Sequence, residues 1–111
     1  PHRHLNRTES TLILKGEVDY IVFDESGLIN TVTRMSDLNS DKVFYNSLHQ
    51  ATYHTLLVRS EWLVFLETTN GPFDTNDTVF PSWCPEQSDS SGAIEYMDYL
   101  NREIENGLLR T

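Results

Sequence analysis

Residues 10–35 alternate between apolar and polar side chains with a period of two, and two turn-type sequences interrupt the pattern. The interruptions are Lys15-Gly16 and Glu25-Ser26-Gly27, and β-branched and aromatic residues dominate the stretches around them. A helix would require a period of 3.6, so this region cannot be a helical bundle. The pattern predicts three consecutive strands in a β meander.

Two later apolar runs predict further strands. They are "HTLLV" at residues 54–58 and "EWLVFLETT" at residues 61–69, and the second is continuously apolar in its middle, which predicts burial on both faces. Residues 70–91 shift to Gly, Pro, Asp, Asn and Ser with interspersed aromatic residues, which indicates a loop that its aromatic side chains keep ordered.

The C-terminal stretch has a helical period. It predicts an amphipathic helix that packs on the sheet, breaks near Gly107 and is capped by Ser90 or Ser91. Its apolar stripe consists of Ile94, Met97, Leu100, Ile104 and Leu108.

Composition excludes several classes of protein. A length of 111 residues suits one domain with a single core. The net charge of −9 disfavours nucleic acid or an anionic membrane as a partner, and the apolar runs are far shorter than the roughly 20 residues of a membrane-spanning helix. Cys84 is the only cysteine, which excludes an internal disulfide and fits the cytoplasm; we expect it to be a small buried filler.

The first nine residues, PHRHLNRTE, carry the strongest chemical signal. Alternate residues of a strand share a face, so His2 and His4 present two imidazoles side by side. Glu9 follows after a polar step that can reverse the chain, and His54 precedes an apolar strand. Such donors suit Zn, Fe, Ni, Mn or Cu and leave one or two coordination positions open. Simpler interpretations are a hydrogen-bonded core histidine for His54 and a solvated charge for Glu9.

Taken together, these residues resemble known motifs. His2, His4, Glu9 and Gly16 stand at the spacings of the first motif of the cupin superfamily, and His54 stands where the second motif ends in histidine. The stretch "VFLETTNGPFDTNDTVFPSWCPEQ" resembles the C-terminal signature of the WbuC-like cupin metalloproteins, and "YMDYL" resembles the end of that family. The resemblance runs from Pro1 to about Leu100.

The resemblance implies a mainly β fold with a single cupin domain over residues 1–111. Its parts are a small cupin-type β-barrel (double-stranded β-helix or jelly roll) at about 1–70, an aromatic and proline-rich loop at about 71–90 and a C-terminal α-helix at about 91–106. It also implies one divalent transition-metal ion, with Zn, Fe, Ni and Mn as candidates, bound by His2, His4, Glu9 and His54. WbuC-like proteins carry a further segment before the histidine pair, so we expect His2, next to Pro1, to lie at a fraying end.

Further residues are candidates for the pocket around the ion. A carboxylate in a largely apolar strand must be paired, hydrogen-bonded or close to a cation, and aromatic side chains can line a barrel mouth and stack on a ligand. The alternatives are core packing for the aromatic residues and a polar loop contact for the remaining histidine. The candidates are Tyr53, His49, Glu67, Phe73 and Trp83.

WbuC-like proteins are named after a product of bacterial surface-polysaccharide genes. The resemblance therefore implies a metal-binding cupin that acts on or binds a small polar, sugar-related molecule, with no catalytic residue identified. Two alternatives stay open: a ligand-binding module without turnover, and a dimerising scaffold with a vestigial metal site. Cupin habit also implies a homodimer through an exposed sheet edge or face.

Overall fold

The computed structural model describes residues 1–48, 51–70 and 74–107, and its regular structure is mainly β. The elements are β1 (Arg3–His4), β2 (Glu9–Lys15), β3 (Glu17–Phe23), β4 (Ile29–Ser36), β5 (Tyr45–Leu48), β6 (His54–Val58), β7 (Val64–Thr69), a short 3-10 helix (Thr75–Asp77), β8 (Thr78–Val79) and α1 (Ser90–Gly107). Within these described ranges, no helix is long and apolar enough to span a membrane.

The strands of the described residues form three antiparallel sheets, in the orders β1-β8, β5-β2-β7 and β4-β3-β6. The predicted meander is confirmed for β3 and β4, which pair with each other, but it is wrong for β2. Strand β2 pairs with β5 and β7, whereas β3 pairs with β4 and β6. Between β2 and β3, Gly16 has a φ of 100°, which favours glycine. A Cβ at this position would also collide with the backbone oxygen of Trp62. The chain therefore passes from one sheet to the other through a turn that only glycine fits easily.

Helix α1 covers one face of the β4-β3-β6 sheet, as the helical period predicted. Leu100 and Ile104 are buried there in the main hydrophobic core, together with Ile21, Phe23, Val32, Tyr53 and Leu57. One detail of the predicted helix differs, because Ile94 is 65% exposed. Leu108, the last residue of the predicted stripe, lies outside the described residues.

The predicted serine cap is also wrong, because Asp89 caps the helix. Its Oδ1 accepts a hydrogen bond from the Gly92 N–H at 2.9 Å, and its backbone oxygen accepts one from the Ala93 N–H at 2.9 Å. A carboxylate also interacts favourably with the positive end of the helix dipole, which a serine hydroxyl does not match.

Asp19 links this helix to the sheet. Its side chain is fully buried on the face of β3 that α1 covers, and its oxygens accept hydrogen bonds at 2.8 Å from the Nε atoms of Arg34 and Arg59. Arg59 also donates to Asn101 on α1. Burial alone would raise the pKa of Asp19, but the hydrogen bonds from the two arginines outweigh it and lower the pKa.

The opposite face of the β4-β3-β6 sheet packs on the β5-β2-β7 sheet. Ile13, Val18, Tyr20 and Met35 form a second buried cluster there. This cluster fills the space between the sheets at the end of β2 near Lys15, and the end near Glu9 borders a cavity.

Strand β7 is not buried on both faces, which corrects the sequence prediction: all six of its residues are exposed. It is the last strand of its sheet, so only β2 pairs with it among the described strands. Phe65 and Glu67 border the cavity, whereas Leu66 lies on the outward face opposite Leu12. A continuously apolar run can therefore form part of a cavity wall and of an outer surface, and it does not have to be buried in a core.

The outward face of the β5-β2-β7 sheet is apolar at its centre. Leu12, Tyr45 and Leu66 lie opposite one another in the register of the three strands. Tyr45 is 52% exposed and Leu66 is 54% exposed. The next row of this face consists of the uncharged residues Ser10, Ser47 and Thr68.

Candidate metal centre

The four residues predicted as metal ligands lie together at one end of the space between the sheets. One donor atom from each of His2, His4, Glu9 and His54 lies within 4.8 Å of the others. His4, Glu9 and His54 are buried, and His2 is partly buried. Metal-donor distances of about 2.1 Å place opposite donors about 4.2 Å apart, so small side-chain rotations would bring all four onto one ion.

The histidine pair is fixed by residues distant in sequence. His2 and His54 exchange two backbone hydrogen bonds, of 3.1 Å and 3.0 Å. Strand β1 then pairs with β8, with His4 opposite Thr78, and the His4 backbone oxygen accepts a hydrogen bond of 2.6 Å from the Ala51 N–H. In place of the fraying end expected for His2, the structure shows a paired segment.

The segment after β8 also supports β1. Trp83 packs edge-to-face on Tyr53, with ring centroids 5.5 Å apart, and its Nε1 donates to the Glu25 backbone oxygen at 3.0 Å. The guanidinium of Arg3 lies 4.4 Å from the centre of the Tyr53 ring and forms a 2.8 Å ion pair with Glu25. Residues from three separate parts of the chain therefore hold the strand that carries the histidines.

The hydrogen bond of His54 to the backbone determines how its ring faces the cluster. Its Nδ1 lies 2.9 Å from the Thr52 carbonyl oxygen, which can only accept, so Nδ1 carries a proton. The other ring nitrogen, Nε2, faces Glu9 Oε2, 3.0 Å away, and in a neutral ring it would be unprotonated. Two acceptors at this distance require a cation between them, either a proton or a metal ion. An Nδ1–H bonded to a carbonyl is also how metal-binding histidines are commonly oriented.

The protonation of the other two histidines suits metal binding, because a ligating imidazole must be unprotonated at the donor nitrogen. Burial, together with the neighbouring His54 and His4, lowers the pKa of His2 to about 4. Burial also lowers the pKa of His4. Both rings are therefore neutral at pH 7.

Glu67 is paired with Glu9, one of the four candidate ligands. Burial, a hydrogen bond to Glu9 and the charge of Glu9 raise the pKa of Glu67 to about 7. Burial alone would raise the pKa of Glu9, but hydrogen bonds from His54 and Glu67 outweigh it and lower the pKa to about 2. The proton of the pair thus resides on Glu67, and Glu9 carries the negative charge that a cation needs.

The cluster opens into a cavity of about 620 Å³ between the two larger sheets, a size that accommodates a small molecule. Tyr20 stacks on His54 with an interplanar angle of 7° and a centroid distance of 5.8 Å. Burial raises the pKa of the Tyr20 hydroxyl. The wall combines apolar, hydroxyl, imidazole and charged groups: His2, His4, Arg7, Glu9, Thr11, Tyr20, His54, Thr55, Leu56, Phe65, Glu67 and Thr69.

Arg7 is a site residue that the sequence prediction missed. It is 8% exposed, and its Nη2 lies 2.6 Å from His4 Nδ1. Its Nε lies 3.4 Å from Asp77 Oδ2, and Asp77 is equally buried. The available signal was its position between His4 and Glu9, because the side chain of a residue flanked by two ligands has a short distance to reach the same site.

The structure separates the predicted pocket residues into groups. Glu67 lines the cavity, whereas Tyr53 and Trp83 pack together around the main core on the other face of the β4-β3-β6 sheet. His49 and Phe73 lie outside the described residues. Cys84 is partly buried, and its thiol lies 3.5 Å from the Pro81 backbone oxygen.

Comparisons with known proteins found no match to this chain. No protein-family model matches the chain, and neither the curated proteins nor the solved structures contain a match. The chemistry of the site must therefore be inferred from its own residues.

Proposed function

We propose that this protein binds one divalent transition-metal ion through His2, His4, Glu9 and His54, in a cavity that admits a small polar molecule. The observation that carries the proposal is the meeting of four donors from three separate strand ends within 4.8 Å. The orientation of His54 supports it, because its Nε2 faces the Glu9 carboxylate at 3.0 Å, where a proton or a metal ion must lie between the two atoms. Three imidazoles and one carboxylate suit Zn, Fe, Ni or Mn better than Ca or Mg.

We propose a cupin-type jelly roll as the fold behind this site. Its support is the arrangement of two three-stranded antiparallel sheets that pack on each other around the cluster. The ligands also stand at the cupin spacings in the sequence. In this fold the ligands lie on strands and the ion lies between the sheets.

The residues of the chain define what the cavity can do. A bound ion with an open position supplies a Lewis acid for a ligand oxygen or water. Tyr20 and Phe65 form apolar parts of the wall, and the pKa of Glu67, raised to about 7, allows it to accept or release a proton beside Glu9 near neutral pH. A mixed wall of this kind fits a small polar ligand, such as the sugar-related molecule that the WbuC resemblance implies.

The test is elemental analysis of the purified protein after dialysis against each candidate ion. The parent protein should retain about one equivalent of one ion, and a His2→Ala, His4→Ala double variant should retain little. His49→Ala is the matched control, because it removes an imidazole without removing any of the four proposed ligands. Negligible metal in the parent, or equal metal in the parent and the double variant, would falsify the proposal.

We also propose that the protein is a homodimer that buries the outward face of the β5-β2-β7 sheet. The centre of this face is apolar and its next row carries hydroxyl groups, so two copies can meet there without juxtaposing like charges. This matters for a chain with a net charge of −9, because like charges at an interface are costly.

A further inference from the structure

Arg7 places a buried positive charge beside the proposed metal site. It lies between β1 and β2, lines the cavity and is 8% exposed. Its guanidinium contacts one proposed ligand, His4, and the buried carboxylate of Asp77. Burying a guanidinium is costly, and arginine is the residue that most readily recognises carboxylate and phosphate groups in partly desolvated sites.

The contact between Arg7 and His4 is compatible with only one arrangement of protons. A guanidinium only donates hydrogen bonds, so His4 Nδ1, 2.6 Å from Arg7 Nη2, must accept. The proton of the neutral ring therefore lies on Nε2, which is 2.5 Å from Glu9 Oε1 and donates to it. This Nε2 is also the nitrogen that faces the other donors of the cluster.

Metal binding at His4 would reverse this arrangement. A nitrogen that ligates a metal carries no proton, so the neutral ring must move its proton to Nδ1. An Nδ1–H cannot accept from Arg7, but it can donate to the Thr78 hydroxyl oxygen, which lies 3.0 Å away. The donor of Arg7 that points at His4 must then turn to another acceptor, and the cavity that Arg7 lines is next to it.

We propose that Arg7 binds the anionic group, a carboxylate or a phosphate, of a small ligand that occupies the cavity beside the metal ion. This inference rests on the proposed metal site and adds the class of ligand. With an ion bound by the four candidate ligands, one oxygen of the anion would ligate the ion and another would accept a hydrogen bond from Arg7. Asp77 holds the guanidinium at the cavity wall.

The charges around the cavity make anion binding depend on the metal. Among the described residues, Glu9 and Asp77 oppose the single charge of Arg7, and Glu67 adds a further carboxyl group. An anion would be repelled from this group alone. A divalent ion and Arg7 together would supply three positive charges against at most three carboxylates. The charge of the ion would be accessible to a ligand at its open position.

The first experiment follows the His4 proton by NMR. Long-range ¹⁵N–¹H correlations of the EDTA-treated protein should show His4 protonated at Nε2, and one equivalent of Zn²⁺ should move the proton to Nδ1. A His4 ring that keeps the same protonated nitrogen when Zn²⁺ is stoichiometrically bound would overturn the proposed switch of Arg7.

The second experiment measures anion binding by calorimetry on Co²⁺-loaded protein, with inorganic phosphate in one arm and acetate in the other. Visible absorption of the Co²⁺ verifies that each variant holds the ion. At least one anion should bind the parent, and Arg7→Met should weaken it about 10- to 100-fold, as expected for a charge-assisted hydrogen bond. The matched control is Arg102→Met, which removes the same charge from an exposed position on α1.

The outcomes separate this inference from the metal site itself. If the parent binds Co²⁺ but neither anion, or if Arg7→Met binds the anion as tightly as Arg102→Met, the role of Arg7 is wrong and the metal site stands. If the parent binds no Co²⁺, both fall. Arg7→Lys is the second variant, in case Arg7→Met does not fold. It keeps the positive charge near Asp77 but loses the planar guanidinium with its paired N–H donors. Anion binding should therefore weaken several-fold while Co²⁺ binding persists.

Discussion

Replacing Glu67 by glutamine should stabilise the metal-free protein, by an amount that grows as the pH rises from 4.5 to about 7 and is constant above that. In the folded chain Glu67 has a pKa of about 7, compared with 4.5 for an ordinary glutamate, because of burial and the neighbouring Glu9. Below pH 4.5 the carboxyl group is protonated in both folded and unfolded chains, so it contributes nothing to the pH dependence. Between pH 4.5 and 7 only the unfolded chain loses the proton, and stability falls as the pH rises.

The magnitude follows from the difference between the two pKa values. A difference of about 2.5 pH units corresponds to about 3.4 kcal/mol at its full value. Glu67 is exposed, however, and solvent screening reduces the cost of its charge to about 1 kcal/mol. Glutamine keeps the size of the side chain and an N–H that can donate to Glu9. For a domain of this size, the gain of about 1 kcal/mol raises the melting temperature by about 5 °C.

The assay is thermal unfolding by circular dichroism in EDTA between pH 4.5 and 8.5. Glu67→Gln should melt with the parent at pH 4.5 and about 5 °C above it at pH 8, and Glu95→Gln, an exposed change on α1, should follow the parent throughout. With saturating Zn²⁺ the advantage at pH 8 should shrink, because the ion balances the charge of Glu9. A Glu67→Gln protein that melts at or below the parent at pH 8 in EDTA would refute the reasoning.

Three further changes test the fold around the site. Asp19→Asn should lower the free energy of unfolding, measured in urea at pH 7, by about 3–5 kcal/mol, because two arginines lose their buried counter-charge. The difference from the parent should decrease in acid, where the parent also loses this charge. Equal stability of variant and parent at pH 7 would contradict the ion-pair argument. Gly27→Ala should cost more than the roughly 1–2 kcal/mol of its φ of 95°, since the new Cβ would lie 2.6 Å from the Trp83 ring; unfolding at the parental urea midpoint would argue against this packing. Leu66→Glu should convert the proposed homodimer to a monomer in light scattering without loss of metal, and an unchanged mass would exclude this face as the interface.

Local spacing was sufficient to group three of the four candidate metal ligands. His2, His4 and Glu9 stand within one strand-turn-strand unit, so their proximity depends on few long-range contacts. Local spacing does not place His54, because its position beside His2 depends on backbone pairing across about fifty residues of sequence. Tyr20 was missed for the same reason: alternation places it on one face of β3, but only the pairing of β3 with β6 brings that face to His54.

The errors in the predicted fold also have physical causes. A strand-glycine-strand sequence is compatible with a hairpin and with a passage between two sheets, and the choice at Gly16 depends on which strands arrive later to pair with β2. The apolar run of β7 was read as buried on both faces because a buried strand and a strand beside an open cavity have the same composition. Whether a strand is exposed depends on which strands pair with it, and the hydrophobic periodicity of the sequence does not determine that pairing.

The position of β1 makes the assembly of the candidate metal ligands depend on contacts with distant parts of the chain. This strand has only two residues, too few to be stable alone, and it pairs with β8. The preceding His2 pairs with the start of β6, and Arg3 lies over Tyr53, which packs on Trp83. The ligands therefore reach their places only when segments about 50 to 80 residues away have packed, and an ion that binds all four must stabilise those distant contacts as well. The histidine pair defines the chemistry of the site, and the segment from β8 to Trp83 determines whether that chemistry is assembled.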